Sequence, residues 1–107
     1  MLVDFRCYKV RPGKLTAHLD IYEKHGFAAQ ARHCGKPIAY LYPEAGELNT
    51  LYHLWAFESA ADREQKRAAL ANDPEWINYV KLNAEAGYLV ETRNQFLLPT
   101  KFSTIVR

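Results

Sequence analysis

The segment 50–58, TLYHLWAFE, restricts the possible folds more than any other part of the chain. Successive side chains of a β-strand point to opposite faces, so this segment presents two different surfaces. One surface carries a histidine and two aromatic rings and the other a tyrosine and two aliphatic side chains: His53, Trp55 and Phe57, against Tyr52, Leu54 and Ala56. Both surfaces are largely apolar, which predicts a strand covered on both sides, in the middle of a layered structure.

Periodicity and end signals predict the other elements. Alternation of side chains predicts a strand over residues 2–10. A short apolar run that ends at Pro43 predicts a strand over 37–42, and a run that follows Gly87 and ends at Pro99 predicts the last strand over 88–98. Apolar residues at helical spacing predict a helix over about 12–32. A second helical region begins at Ser59, which with Asp62 is close to a capping box, and restarts at Asp73, which precedes a proline. The element order is therefore β-α-β-β-α-β.

This order predicts an α+β fold of the ferredoxin-like type, with a four-stranded antiparallel sheet and helices on one of its faces. The chain of 107 residues has the length of a single domain, 1–107, with 100–107 as a C-terminal tail without clear periodicity. The helices would leave one sheet face uncovered. Because the third strand is apolar on both sides, we expect a second copy of the chain to cover that face, which makes the protein a homodimer.

Composition and charge argue against several classes of protein. The 14 basic and 12 acidic residues give a net charge of +2 without the clustered basic face that nucleic-acid binding needs. The N-terminus resembles no signal peptide, and no apolar window approaches the roughly 20 residues of a spanning helix, which predicts no membrane insertion and a cytoplasmic location. Cys7 and Cys34 are predicted to be free thiols. His18 and His25 lack a third ligand, so no metal site is predicted.

His53 and Trp55 are the leading candidates for chemistry. Both point the same way from the predicted central strand, where they would line a pocket between sheet and helices. Histidine is the natural acid–base group near neutral pH, which makes His53 the candidate catalytic residue. The alternative is that Trp55 belongs to the core and that His53 is a buried histidine bonded to backbone or carboxylate.

Further pocket candidates lie on the first strand and the first helix. Arg6 and Tyr8 share a strand face with Asp4. In one interpretation Arg6 orients an anionic ligand while Tyr8 donates a proton or offers a stacking surface. In the other, Arg6 and Asp4 form an ion pair at a dimer seam. Tyr22, on the apolar stripe of the first helix, is also a pocket candidate.

Other charged groups have a structural explanation beside a functional one. His33 and Arg32 lie near the end of the first helix, where the helix dipole favours cations, and they would also suit a small acid at a pocket mouth. Asp62, Arg63 and Arg67 open the second helical region. We interpret them as a capping and salt-bridge set, with an anion site as the alternative.

Several stretches resemble the NIPSNAP family: YKVRPGKL (8–15), LDIYEKHG (19–26), QARHCGK (30–36) and HLWAFESAADREQKRAALANDPEW (53–76). The resemblance extends from about Tyr8 to Phe102. It implies a dimeric α+β barrel, a superfamily that includes cofactor-free monooxygenases, haem-degrading enzymes and proteins without assigned activity. The length of one module and the lack of a mitochondrial leader imply a stand-alone member of bacterial type.

Three functional hypotheses follow. In the first, the protein is a homodimeric binding or interaction module without a cofactor, with a small apolar pocket between sheet and helices. In the second, it is a cofactor-independent, monooxygenase-like enzyme for a small aromatic or quinone-like substrate, with His53 as base and Arg6, Tyr8 and Trp55 as positioning groups. In the third, it binds haem through His33 or His53. The first two differ in whether His53 faces an open cavity.

Overall fold

Four strands and four helices form the protein in the computed structural model, which describes residues 1–105. In chain order they are β1 (Leu2–Val10), α1 (Leu15–His25), α2 (Phe27–Cys34), β2 (Ala39–Leu41), β3 (Thr50–Phe57), α3 (Ala60–Ala71), α4 (Pro74–Ala86) and β4 (Leu89–Leu97). The strands pair in the order β2-β3-β1-β4, and every pair is antiparallel. The predicted ferredoxin-like α+β fold, with β3 inside the sheet, is confirmed.

The predicted starts of α3 and α4 are confirmed by their caps. The Ser59 hydroxyl accepts a hydrogen bond from the Asp62 amide at 3.1 Å. The Asp73 carboxylate accepts one from the Glu75 amide at 2.9 Å, with proline at the first helical position. In both helices a side-chain oxygen therefore satisfies a backbone donor that the helix itself leaves unpaired.

The predicted helix over 12–32 is wrong in its continuity, because it consists of two helices that meet at Gly26. A Cβ atom at Gly26 would lie 2.9 Å from Cγ of Tyr79 and 3.0 Å from Cδ1 of Tyr22. Only glycine lets the Tyr79 ring approach this closely. The helical region also begins later than predicted, since the chain first turns at Gly13 with φ +79°.

The helices cover one face of the sheet, and the hydrophobic core lies there. Along β3, the side chains on this face are all buried: Leu51, His53, Trp55 and Phe57. Below the sheet, α1 packs against α4 and α2 packs against α3. The central cluster of the core joins α2, β3 and α3 through Ala29, Cys34, Trp55, Phe57 and Leu70.

The opposite face of the sheet is only partly buried by residues 1–105. On β3 it carries Tyr52, Leu54 and Ala56, each of intermediate exposure. Leu41 on β2 is 53% exposed and Leu97 on β4 is 41% exposed. A single chain therefore covers β3 completely on one side only, and the predicted second cover is not supplied by the described residues. In the predicted tail, residues 101–102 form a turn and 103–105 a bend, and 106–107 lie outside the described residues.

Cys7 and Cys34 are free thiols, as predicted, and both are buried. Among residues 1–105, none of the helices combines the length and the apolar character that crossing a membrane requires.

Candidate functional site

A partly enclosed cavity of about 120 Å³ lies between the helix-covered face of the sheet and the helices. We call it the helix-side cavity. All eight elements of the fold contribute side chains to its lining: Tyr8, Tyr22, Gln30, Tyr40, His53, Arg67, Trp76, Tyr79, Val80, Asn83 and Leu89. Because these residues come from distant parts of the sequence, the cavity exists only in the completed fold.

A larger cleft of about 610 Å³ lies on the opposite face of the sheet, where Phe5, Cys7, Tyr52 and Arg93 contribute to its lining. This cleft belongs to the surface that the helices leave uncovered. Within residues 1–105, none of the buried polar atoms that lack a hydrogen-bond partner belongs to its lining, whereas two residues with such atoms line the helix-side cavity. We therefore take the smaller cavity as the candidate site.

Aromatic rings hold the imidazole of His53 in a fixed plane. The Tyr40 ring stacks on it with a centroid distance of 4.4 Å and an interplanar angle of 14°. The Tyr8 ring meets it edge-on at 4.7 Å. Tyr40 in turn stacks on Tyr22 at 5.1 Å. Such contacts between aromatic rings restrict the orientation of each partner and thereby pre-organise one wall of the cavity.

The hydrogen bonds of His53 define its chemical role. Its side chain is buried, and its Nδ1 accepts a hydrogen bond from the indole N–H of Trp55 at 2.7 Å. Nδ1 must therefore be unprotonated, so the proton of the neutral imidazole is on Nε2. Burial, followed by the positive charge of Arg6, lowers the pKa of His53 to about 3. His53 is thus neutral at physiological pH, and its Nε2–H has no acceptor among residues 1–105.

Arg67 brings a positive charge to the helix-side cavity. Neighbouring Arg6 and Arg63 both bind the Asp4 carboxylate, at 3.1 Å and 2.9 Å. By contrast, the Arg67 guanidinium forms no ion pair or side-chain hydrogen bond within residues 1–105, and the cavity lining contains no carboxylate. Burial and the charges of Arg6 and Arg63 lower the pKa of Arg67, but an arginine remains protonated at neutral pH.

The tyrosines of the lining are hydrogen-bond donors rather than anions. Burial raises the pKa values of Tyr22, Tyr40 and Tyr79 well above their ordinary range. The Tyr8 oxygen accepts a hydrogen bond from Nε of Arg6 at 3.0 Å, so the Tyr8 hydroxyl proton is free to be donated elsewhere. The walls of the cavity are therefore aromatic surfaces with protonated hydroxyl groups.

Two amides and a second histidine complete the polar environment. The Tyr22 hydroxyl donates to Oε1 of Gln30 at 2.6 Å, which fixes the amide so that its NH₂ group has no side-chain partner among residues 1–105. Oδ1 of Asn83 is buried without a partner. Near Asn83 lies the buried His18, neither of whose ring nitrogens meets the geometry of a hydrogen bond. Burial lowers the pKa of His18, so it too is neutral.

The structure separates the six residues that the sequence analysis singled out as pocket candidates. Tyr8, Tyr22 and His53 line the helix-side cavity. Trp55 lies in the core behind His53 and contacts it through the indole hydrogen bond. Arg6 and His33 do not line the cavity. Arg6 instead donates hydrogen bonds to Asp4 and Tyr8.

The sixth candidate, His33, lies at the junction between α2 and α4, with its Nε2 2.8 Å from the Asp73 carboxylate. Arg32 binds the same carboxylate at 2.6 Å and Glu75 at 2.8 Å. The set couples the end of α2 to the first turn of α4, where acidic groups are favoured by the helix dipole. These contacts with Asp73 and Glu75 explain the positions of His33 and Arg32, so neither residue needs a bound ligand.

Sequence reasoning missed most of the lining on the helices and on β2, namely Gln30, Tyr40, Trp76, Tyr79 and Asn83, and it interpreted Arg67 mainly as a salt-bridge residue. One signal was available in the sequence. Arg63 and Arg67 are one helical turn apart and share a stripe with Leu70, which is buried. A basic residue on the same stripe as a core leucine faces the sheet rather than solvent.

Within residues 1–105 there is no group of three or more His, Cys, Asp or Glu side chains arranged to hold a metal ion. The chemistry that the helix-side cavity offers is that of fixed hydrogen-bond donors, one positive charge and aromatic surfaces.

Comparison with protein families gives a match to the NIPSNAP family model over residues 3–104. Among curated sequences, the human protein NipSnap homolog 3A is 34% identical over 74 residues, which is 68% of this chain and 29% of the human protein. The NipSnap homolog of Dictyostelium discoideum is 35% identical over 77 residues, or 72% of this chain and 34% of that protein. This chain thus spans about a third of the length of these two relatives.

Solved structures show the same relationship over whole chains. A NIPSNAP family protein with unknown function from Agrobacterium tumefaciens superposes with a TM-score of 0.91 at 30% identity, covering 99% of this chain and 94% of that chain. An uncharacterised NIPSNAP-like domain protein from Burkholderia xenovorans gives a TM-score of 0.89 at 37% identity, covering 99% and 90%. An antibiotic biosynthesis monooxygenase, at 13% identity and a TM-score of 0.62, shares the fold alone.

Proposed function

Because the chain belongs to the NIPSNAP family, which includes a solved member of unknown function, we propose its function from the candidate site itself. The protein is a homodimer that binds a small organic molecule of about one ring in the helix-side cavity. The observation that carries this proposal is the Nε2–H of His53. It is a buried donor in a fixed orientation, it belongs to the cavity lining, and it lacks an acceptor within residues 1–105.

The energetics of unpaired polar groups support this proposal. A buried donor or acceptor without a partner costs about 1–3 kcal/mol, and folded proteins contain few of them. Here they are concentrated at one place, on His53 and Asn83 in the cavity lining and on the adjacent His18. A bound molecule with a matching acceptor would recover much of that free energy, as would ordered water when the ligand is absent.

The volume of the helix-side cavity limits the size of the ligand. About 120 Å³ is well below the roughly 300–1,000 Å³ of pockets for drug-sized molecules. It is close to the roughly 150 Å³ of an engineered cavity in another protein that takes up benzene. A single ring is thus of suitable size, whereas a porphyrin is too large. His33, one of the two haem-ligand candidates, is also engaged by Asp73, which favours a small ligand over haem.

Within this proposal His53 is a hydrogen-bond donor rather than a general base. A base needs a free acceptor nitrogen, and the acceptor nitrogen of His53 is occupied by the indole of Trp55. The lowered pKa of His53 points the same way, because the imidazole has little affinity for a proton near neutral pH. The hydrogen bonding and the lowered pKa of His53 therefore do not support the enzyme alternative, in which His53 is the base. The similarity of this chain to a monooxygenase is one of fold.

The homodimer is proposed from the sheet face that the helices leave uncovered. Its centre is apolar and includes Phe5 and Leu54, both of intermediate exposure, with the more exposed Leu41 at one edge. Burial of such a face against a second copy removes apolar area from water at about 25 cal/mol per Å². We expect light scattering at micromolar concentration to give twice the mass of the chain. A monomeric mass would contradict the homodimer.

The chain contains two tryptophans, and both report on the helix-side cavity. Trp76 belongs to the lining, and Trp55 donates its indole N–H to His53. We expect titration with phenol or benzoate to shift both indole ¹H–¹⁵N signals in NMR spectra, with W76F providing the assignment. If neither signal moves with either probe at millimolar concentration, the binding proposal is wrong.

A plugging variant locates the bound probe. Val80 belongs to the cavity lining and is 49% exposed, so V80F should obstruct the cavity with little disturbance of the core. Ile77 lies on the same helix, is 54% exposed and does not line the cavity, which makes I77F the matched control. We expect V80F to weaken probe binding about tenfold or more and I77F to leave it unchanged. Equal effects of both substitutions would place the probe outside the helix-side cavity.

A further inference from the structure

We propose that the ligand of the helix-side cavity is a small monocarboxylate, with its carboxylate bound by Arg67 and by the Nε2–H of His53 and its apolar body against the aromatic walls. This inference rests on the proposed function, because it names the chemical class of the molecule that this cavity binds. It goes beyond that function by assigning a charge to the ligand and an anchor to the protein.

The balance of charge beneath the sheet supports an anionic ligand. Three arginines, Arg6, Arg63 and Arg67, lie close enough to influence one another electrostatically. A single buried carboxylate, Asp4, binds the first two. Arg67 is left without a counter-charge among residues 1–105, although it is partly buried and the cavity lining contains no acidic residue. A desolvated guanidinium without an anion is unfavourable, and a carboxylate would neutralise it.

The balance of hydrogen-bonding groups points to the same class. Donors predominate in the lining: the Arg67 guanidinium, the Nε2–H of His53, the Tyr8 hydroxyl and the Gln30 amide NH₂. The only buried acceptor without a partner in the described lining is Oδ1 of Asn83. An ionised carboxylate accepts hydrogen bonds and donates none, so it matches an excess of donors. An amine would face both the positive charge and these donors.

The remainder of the lining limits the ligand to one charge. Apart from Arg67, the lining has no charged group, since His53 is neutral. Trp76, Tyr79, Val80 and Leu89 offer ring faces and aliphatic surface, to which a second carboxylate would be poorly suited. A carboxylate on a single ring, or on an apolar body of that size, fits both the volume and the chemistry.

The test compares benzoate with benzamide, which has nearly the same shape but no charge. We expect wild-type protein to bind benzoate about 10- to 100-fold more tightly than benzamide, the range of a charge-assisted hydrogen bond, as read from the Trp55 and Trp76 indole signals. In R67Q the two affinities should become equal. K66Q is the matched control, because Lys66 is on the same helix, carries the same charge and does not line the cavity. It should retain the wild-type preference.

Each other outcome is decisive. If wild-type protein binds benzoate and benzamide equally, the ligand is not an anion, although the proposal of a small-molecule cavity stands. If K66Q loses the preference as fully as R67Q, the effect is one of overall charge and Arg67 is not the anchor. If R67Q fails to fold, R67K replaces it. It keeps the charge but loses the planar pair of donors, so benzoate should bind more weakly than in wild type, and unchanged binding would overturn the assignment.

Discussion

The Asp4 cluster and the helix-side cavity lie on the same face of the sheet and handle buried polar groups in opposite ways. We define the Asp4 cluster as Asp4, Arg6, Arg63 and Asn94. The Asp4 carboxylate is 1% exposed, and all three partners donate to it, at 3.1, 2.9 and 3.2 Å respectively. In the helix-side cavity, Arg67 and the Nε2–H of His53 have no such partners within residues 1–105.

A single hydrogen bond, from Nε of Arg6 to the Tyr8 hydroxyl, joins the two regions. Both regions contain partly buried arginines, but the Asp4 cluster has a carboxylate to bind them and the cavity lining has none. In the Asp4 cluster the sequence supplies both members of each interaction, which is the pattern of a structural network. In the cavity, Arg67 and the Nε2–H of His53 lack the second member, which is the pattern we expect of a site that another molecule completes.

Loss of the Asp4 charge should give the largest effect on stability. D4N preserves the shape of the side chain but leaves the partly buried Arg6 and Arg63 beside each other without an anion. We expect the free energy of unfolding to fall by about 3–5 kcal/mol, measured by urea denaturation. R67Q is the comparison, and it should leave stability unchanged or raise it, because no partner is lost and a charge without a counter-charge is removed. Equal losses for D4N and R67Q would remove the distinction between the two regions.

As the pH falls, stability should be lost first through the histidines and only at lower pH through the Asp4 cluster. The folded pKa of His53 is about 3, below the ordinary 6.5, so between these values the unfolded chain binds more protons. Stability should therefore fall as the pH decreases from about 6.5 towards 3, by roughly 1.4 kcal/mol per pH unit for one proton. His18, whose pKa is also lowered, adds to this slope.

The two contributions can be separated by H53Q, which should reduce the slope by one proton while leaving that of His18. The Asp4 cluster responds at lower pH. Burial alone would raise the pKa of Asp4, but the hydrogen bond from Arg63 and the charge of Arg6 outweigh it and lower the pKa below 3.8. Its contribution is lost only as the pH falls through that lowered value. If stability depends on pH equally steeply in H53Q and in wild type, His53 binds its proton as readily in the folded protein as in the unfolded chain, which would contradict the lowered pKa.

Loss of the indole–imidazole hydrogen bond should contribute a smaller effect, of about 1–3 kcal/mol, because W55F leaves Nδ1 of His53 buried without a partner, and the smaller ring adds the cost of lost core packing. The more specific result is the loss of tautomer control. Imidazole ¹⁵N shifts should report a single Nε2–H form in wild type and a mixture in W55F. W76F is the control, because the Trp76 indole makes no hydrogen bond to His53, and it should leave the tautomer unchanged. A mixture in wild type would contradict the fixed donor.

The sequence was informative wherever a local rule applies. Alternation located β1 and β3, and the cap residues Ser59 and Asp73 located the starts of two helices. The break at Gly26 was not predictable, because it depends on the Tyr79 ring, which is more than 50 residues away in the sequence and arrives only on folding. A glycine of this kind leaves no local signal, since helical periodicity continues across it.

The candidate site was predictable in its centre and not in its perimeter. The sequence predicts His53 because it shares a strand face with Trp55 and Phe57, and it predicts Tyr8 because it shares a strand face with Arg6. Whether an arginine is paired depends on tertiary structure, so Arg6 and Arg67 could not be told apart from spacing alone. Tyr40 was missed for another reason. A strand of three residues has too few positions to show a periodicity, and only its register opposite His53 brings it to the site.

The shortness of β2 has a consequence for how a ligand would enter. Three residue pairs, with Tyr40 in the middle, and a backbone hydrogen bond from Ile38 to Leu54 attach this edge strand to β3. Segments with so few ladder contacts open locally at far lower free energy than the whole domain unfolds. Each time β2 detached, the Tyr40 ring would leave the imidazole of His53 and uncover it to solvent. The rate at which a ligand enters or leaves the cavity would then be set by the local opening of β2, while the helices around the cavity stay packed.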